Sequence, residues 1–196
     1  MVVKMYLSSL PAAALAAALV AAASVLAFSE APVLFVWAAF IGWASYDHSG
    51  GTTGAAIRSS AALVFGAFMA WSVAIVVVGG LLPLNTTAST AIAAGIASFL
   101  IVIVSRVALL SVVPAAFYGF ASTFAYLSVS AGAFTVDTLT SFGWSNAIFS
   151  VPVSLLIGTG LGIIHGRLAK ALAAHDAGSE SLSLSGGARA AVRAGQ

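Results

Sequence analysis

From Met5 to Phe28 the chain carries 24 consecutive residues that are apolar or small apart from three serines, and comparable runs recur as far as His165. Such a run has no polar face to turn toward water. Wound as a helix, it matches the roughly 20 residues needed to cross a hydrocarbon core about 30 Å thick. Lipid offers no hydrogen bonds, so a spanning backbone must satisfy its own N–H and C=O groups, as helices and closed barrels do. The apolar residues here are continuous rather than alternating, which selects helices. Composition agrees: 61% of residues are hydrophobic and 6% charged, where soluble domains carry about 25% charged residues. The expected fold class is all-α, a polytopic membrane helix bundle.

Six runs can be drawn along residues 1–166, spanning Met5 to Phe28, Val33 to Tyr46, Ala55 to Leu82, Ala88 to Val104, Val107 to Leu127 and Ala147 to His165. The second has 14 residues and as a helix reaches only about 21 Å. The fifth contains Pro114, where a helix interior would lose a backbone bond. Residues 128–146 form a polar, glycine-containing stretch, and residues 167–196 turn polar and small, as expected of a disordered tail. The first run admits a second reading as a secretory signal with Lys4 in front of it. Its 24 residues exceed the usual apolar region of roughly 7–15, and its removal would leave five spans.

Lysine and arginine near span ends resist translocation, and this sets orientation. With the N-terminus cytoplasmic, all seven basic residues, Lys4, Arg58, Arg106, Arg167, Lys170, Arg189 and Arg193, fall on the cytoplasmic side. Six spans with both termini cytoplasmic in a bacterial inner membrane is the expected topology. The bilayer is then the obligatory partner. Although the net charge is +2, the basic residues stand singly, without the clustered stripe of a nucleic-acid face. Cysteine is absent, which removes disulfides and thiolate metal sites.

One phrase occurs twice. Ala38 to Tyr46 reads AAFIGWASY and Ala115 to Thr123 reads AAFYGFAST, agreeing at six of nine positions 77 residues apart. The copies lie in the second and fifth runs, the central run of each set of three. Three spans per set reverse the polarity of the second copy, giving two inverted three-helix repeats, residues 5–82 and 88–166. Paired short or Gly/Pro-interrupted segments at matching positions mark the midplane site of transporters built this way. Phe40, Gly42 and Ser45, with their counterparts Phe117, Gly119 and Ser122, are the candidate lining of a solute path. Two plainer readings stand beside it: coincidence in an alanine-rich chain, and small residues serving as helix contacts.

The segments GGTTGAAIRSSAALVFGAFMAW (from Gly50) and SVVPAAFYGFASTFA (from Ser111) are similar to those of bacterial inner-membrane proteins in the domain-of-unknown-function 1097 family. The similarity covers Val33 to Gly166. It implies a compact multi-span membrane protein and carries no substrate or catalytic residue with it. Asp47 and His48 depart from the mostly uncharged, glycine-flanked pattern of that family at their position.

No enzyme constellation is present. The carboxylates are dispersed on both sides of the expected membrane, and His48, His165 and His175 lack the spacing that converges three or four donors on a metal. No catalytic residue, metal or cofactor is expected. Asp47, His48 and Arg106 are candidate vestibule residues, with Arg106 alternatively an ordinary topology marker. Gly158, Gly162 and Gly166 recur every four residues on one helix face, where another helix can approach closely. The functional expectation is a channel or facilitative permease for a small neutral or weakly polar solute, assembled as a homo-oligomer, since ion-coupled pumps use buried carboxylates. The alternative is a non-transporting membrane subunit that packs against a partner protein.

Overall fold

The computed structural model describes residues 9–194, with side chains through residue 173. All regular structure among these residues is helical: α1 (Ser9–Ser29), α2 (Val36–His48), α3 (Thr53–Val78), α4 (Thr86–Val104), a single 3₁₀ turn (Ala108–Leu110), α5 (Val113–Val129), α6 (Val136–Thr140) and α7 (Ala147–Ala194). Four are long and apolar enough to cross a membrane, α1, α3, α4 and the Ala147–Ala173 part of α7, so the protein is membrane-embedded. Of the six expected spans, the second and fifth become the shorter helices α2, of 13 residues, and α5, of 17.

Polar caps set several helix starts. Thr52 accepts from the Ala55 N–H at 3.1 Å at the head of α3, and Asn85 accepts from the Ala88 N–H at 2.9 Å at the head of α4. Each side chain satisfies one of the four N–H groups that a helix N-terminus leaves open. Pro114 does not break a span as its position in the fifth run implied. It occupies the first turn of α5, where its missing N–H costs nothing, and the span therefore begins at Val113 rather than Val107. The α2–α3 turn uses Gly51 at φ +63°, and the Tyr46 hydroxyl donates to the Gly51 carbonyl at 2.6 Å.

The polar stretch between α5 and α7 is built rather than loose. It contains α6, whose Leu139 is fully buried. The Leu139 carbonyl accepts from both Trp71 Nε1 at 3.0 Å and Asn146 Nδ2 at 2.8 Å. Trp71 is thus tied to α6, whereas Trp37 and Trp144 are exposed. Helix α7 runs past Gly166 without a break, so the expected tail starts as helix; its side chains from residue 174 onward lie outside the described residues.

The described residues divide into two compact units, residues 9–23 with 164–194, and Ser24–Ile163. In the first, Ala12, Ala16 and Val20 form a buried stripe at four-residue spacing, and His165 Nε2 lies 3.3 Å from the Ala13 carbonyl oxygen. In the second, α3 is the central helix, packing on α2, α4, α5 and α6. Its core includes Leu63, Ala67, Val73, Ala115, Ala116, Val151 and Leu155.

Candidate functional site

The repeated phrase lies on α2 and α5, and these helices pack against each other. The His48 and Tyr118 rings are 6.3 Å apart and the Phe35 and Tyr126 rings 5.8 Å apart. The end of α2 therefore meets the beginning of α5, and the residue before α2 meets the end of α5. The two helices run antiparallel.

Each also crosses a second helix at a pair of glycines. A Cβ on Gly42 would stand 2.0 Å from the Leu155 carbonyl oxygen, and one on Gly158 would stand 1.9 Å from that of Ala39. At the other crossing a Cβ on Gly119 would stand 1.9 Å from the Leu63 carbonyl oxygen, and one on Gly66 would stand 1.7 Å from that of Ala116. Only glycine lets two backbones come this close. The two crossings correspond residue by residue. Ala39 and Gly42 on α2 match Ala116 and Gly119 on α5, 77 residues on, while Leu63 and Gly66 on α3 match Leu155 and Gly158 on α7, 92 residues on.

The 77-residue spacing reaches beyond the repeated phrase. Helices α2 and α5 start at Val36 and Val113. The buried positions Ala12, Ala16, Val20 and Ser24 of α1 match the buried Ser89, Ala93, Ala97 and Ile101 of α4. The rise from 77 to 92 falls in the α5–α7 segment, where α6 stands in place of the short α2–α3 turn.

The interior polar groups are hydroxyls and one amide. Ser45 Oγ and Ser59 Oγ, both buried, hydrogen-bond at 2.7 Å and join α2 to α3. Ser154 Oγ donates to the Ser150 carbonyl at 2.7 Å and accepts from the Phe35 N–H at 2.9 Å, so α7 supplies the cap that α2 lacks from its own residues. Ser60 and Thr159 join α3 to α7 at 3.2 Å. Thr123 donates back to the Gly119 carbonyl at 3.0 Å. Ser122 is fully buried, and its hydroxyl has no hydrogen-bond partner among the described residues.

The expected site residues thus fall into distinct places. Gly42 and Gly119 are helix contacts filled by the backbones of α7 and α3. Ser45 turns to α3. Phe40 lies between Trp37 and Trp43, with ring centroids at 5.8 and 6.4 Å, and Phe117 packs on the apolar core. Asp47 and His48 form the last turn of α2 rather than a loop, and both are exposed, as is Arg106 after α4. Gly158 and Gly162 are contacts of α7 with α2, Gly162 facing the Tyr46 and Trp43 rings, while a Cβ at Gly166 would meet nothing within 4 Å. Sequence reasoning missed Gly66, Ser59 and Thr159. The signal for the first was the shared Leu-x-x-Gly of Leu63–Gly66 and Leu155–Gly158, which an alanine-weighted comparison passes over.

An open groove of about 720 Å³ lies between α3 and α7 beside the 3₁₀ turn, lined by Ser60, Phe65, Phe68, Leu109, Ile148 and Pro152 among others. Its walls are apolar apart from Ser60. No cluster of three or more metal-binding side chains occurs among the described residues.

Neither a curated protein nor a solved structure matches this chain. The model of one family, described as a protein of unknown function (DUF1097), matches residues 14–170. That match runs from within α1 to Lys170 in α7 and takes in both glycine crossings: the chain is a member of the DUF1097 family.

Proposed function

We propose that the protein is a facilitative path for a small neutral or weakly polar solute across a bacterial inner membrane. It is built from two inverted three-helix repeats, α1 to α3 and α4, α5 and α7, and both termini are cytoplasmic. The observation that carries this reading is the matched pair of glycine crossings, Gly42 with Gly158 and Gly119 with Gly66. The pairs are related by constant spacings in sequence and sit on central helices that run antiparallel. They support a pseudo-two-fold relation between the halves, the arrangement that places a solute site where short central helices meet. Helix α2 reaches about 20 Å and α5 about 26 Å, both short of the hydrocarbon core. Ser45 and Ser122 occupy equivalent buried positions there. The described interior polar side chains are uncharged, which suits a neutral solute rather than an ion. Association between copies of the chain belongs to the same reading.

A second reading, a non-transporting subunit that packs against a partner, has its own support. Ala38, Ala115 and Ala116 are buried, and Phe35, Ile41, Phe117 and Tyr126 pack against the core they help form. A path along α2 and α5 requires some of these side chains to move.

The chain has no cysteine, so labelling separates the two readings. Single cysteines at Ser45 and Ser122 are expected to react with a small water-soluble thiol reagent faster than a cysteine at buried Val73. Purified protein in liposomes is expected to pass one or more small neutral solutes. If both serine positions react no faster than the Val73 control, the packing subunit is the better description.

A further inference from the structure

We infer that the Ser122 hydroxyl is the group that hydrogen-bonds the solute inside the bundle, a small uncharged molecule carrying a carbonyl or hydroxyl oxygen. This rests on the solute-path reading above and names its binding group.

The two halves treat the same hydroxyl differently. In the first, Ser45 Oγ is engaged with Ser59 Oγ at 2.7 Å, both groups buried. In the second, Ser122 is equally buried, and its Oγ has no partner among the described residues. The correspondence between halves accounts for the difference. The spacing of 92 residues that relates Leu63 to Leu155 and Gly66 to Gly158 relates Ser59 to Val151. Where the first half has a hydroxyl, the second has a fully buried isopropyl group that can neither donate nor accept. Ser122 also forgoes the local bond to a carbonyl one turn back. Its neighbours on α5 make that bond, Thr123 to Gly119 and Ser128 to Phe124.

A buried hydroxyl without a partner is unfavourable, and native proteins retain few of them. A serine presents one donor and two acceptor sites, so Ser122 can donate to a carbonyl or hydroxyl oxygen and accept from an N–H or O–H. No charged side chain is among the buried residues described, and an ionic ligand would stay uncompensated there. The ligand class is therefore a small, neutral molecule able to give and take hydrogen bonds. Urea and glycerol are the probes.

The test uses the full chain in liposomes, with urea and glycerol uptake followed by vesicle swelling, and thermal unfolding of the same proteins in detergent. Ser122→Ala removes the group. Val151→Thr, nearly equal in volume, restores a hydroxyl at the position equivalent to Ser59, and the correspondence with the Ser45–Ser59 bond predicts that it engages Ser122 within the protein. Both variants are expected to slow uptake of the faster probe at least threefold. Ser128→Ala, which removes an exposed hydroxyl from the same helix, keeps the wild-type rate. Val151→Thr alone is expected to unfold at a higher temperature than Val151→Thr combined with Ser122→Ala. Should Val151→Thr fail to fold, Ser122→Ala decides alone. If wild-type vesicles swell no faster than empty ones, the solute-path reading falls and takes this assignment with it. If they do swell faster but Ser122→Ala matches wild type, the path stands and the assignment to Ser122 is overturned.

Discussion

A methyl group at Gly66 would have to share space with the Ala116 carbonyl oxygen, 1.7 Å away, and a backbone atom cannot rotate aside as a flexible side chain can. Overpacking of this kind costs about 1–3 kcal/mol, occasionally more, so Gly66→Ala is expected at or above the top of that range. Gly95, on α4, has nothing within 4 Å of its would-be Cβ. There Gly→Ala is expected to stabilise by about 0.5–1 kcal/mol through backbone entropy alone. Thermal unfolding in detergent distinguishes the two, and shifts of equal sign would show that α3 and α5 do not approach. Ser45→Ala takes from the buried Ser59 its partner on α2, a loss of about 1–3 kcal/mol, whereas Ser45→Ala with Ser59→Ala removes both partners and is expected to be closer to neutral. A double variant less stable than either single one would mean that the Ser45–Ser59 bond does not form.

At the scale of elements, α6 shows how much local structure a polar stretch can hide. Five residues, Val136–Thr140, give too few turns for a helical period to be read, and the burial of Leu139 depends on α3, some seventy residues earlier. Asn146 holds this element. Its Nδ2 donates to Leu139 and Ser141, and its Oδ1 accepts from the Ile148 N–H at 3.1 Å at the start of α7. Asn146→Ala is expected to destabilise by about 2–3 kcal/mol, because it removes a cap and leaves buried carbonyls with fewer donors. Limited proteolysis should then cut between α5 and α7, and a cleavage pattern unchanged from wild type would show α6 held by Trp71 and packing alone. The long apolar helices, by contrast, were legible in the chain to within a few residues at most ends. Their composition leaves no other spanning structure open, and their starts are marked by Thr52 and Asn85. The fifth span was misjudged by six residues, since Pro114 interrupts a helix interior yet begins one without penalty.

Taken whole, the molecule is a membrane-embedded helical member of its family. Arg58 lies in the second turn of α3 and Arg106 just after α4. The end at which α3 begins is the end at which α4 finishes, and the proposed orientation, by the positive-inside rule, has this end cytoplasmic. A reporter fused after Gln196 is expected to read cytoplasmic, and one inserted after Gly132, in the α5–α6 turn, external. An external C-terminus would overturn this orientation.

The sequence alone determined that this chain is helical and lies in a bilayer, because lipid obliges each span to close its own hydrogen bonds with residues four places away. It also carried the repeated phrase, nine residues in each of α2 and α5. The tertiary structure decided which neighbour each small residue meets. Gly42 and Gly119 face backbones of α7 and α3, Ser45 finds Ser59, and Ser122 is left without such a partner. A helix that is apolar all round has no periodic stripe to announce its contact face, so the choice among faces rests on backbone approach and a few hydroxyl bonds between residues 14 to 119 positions apart.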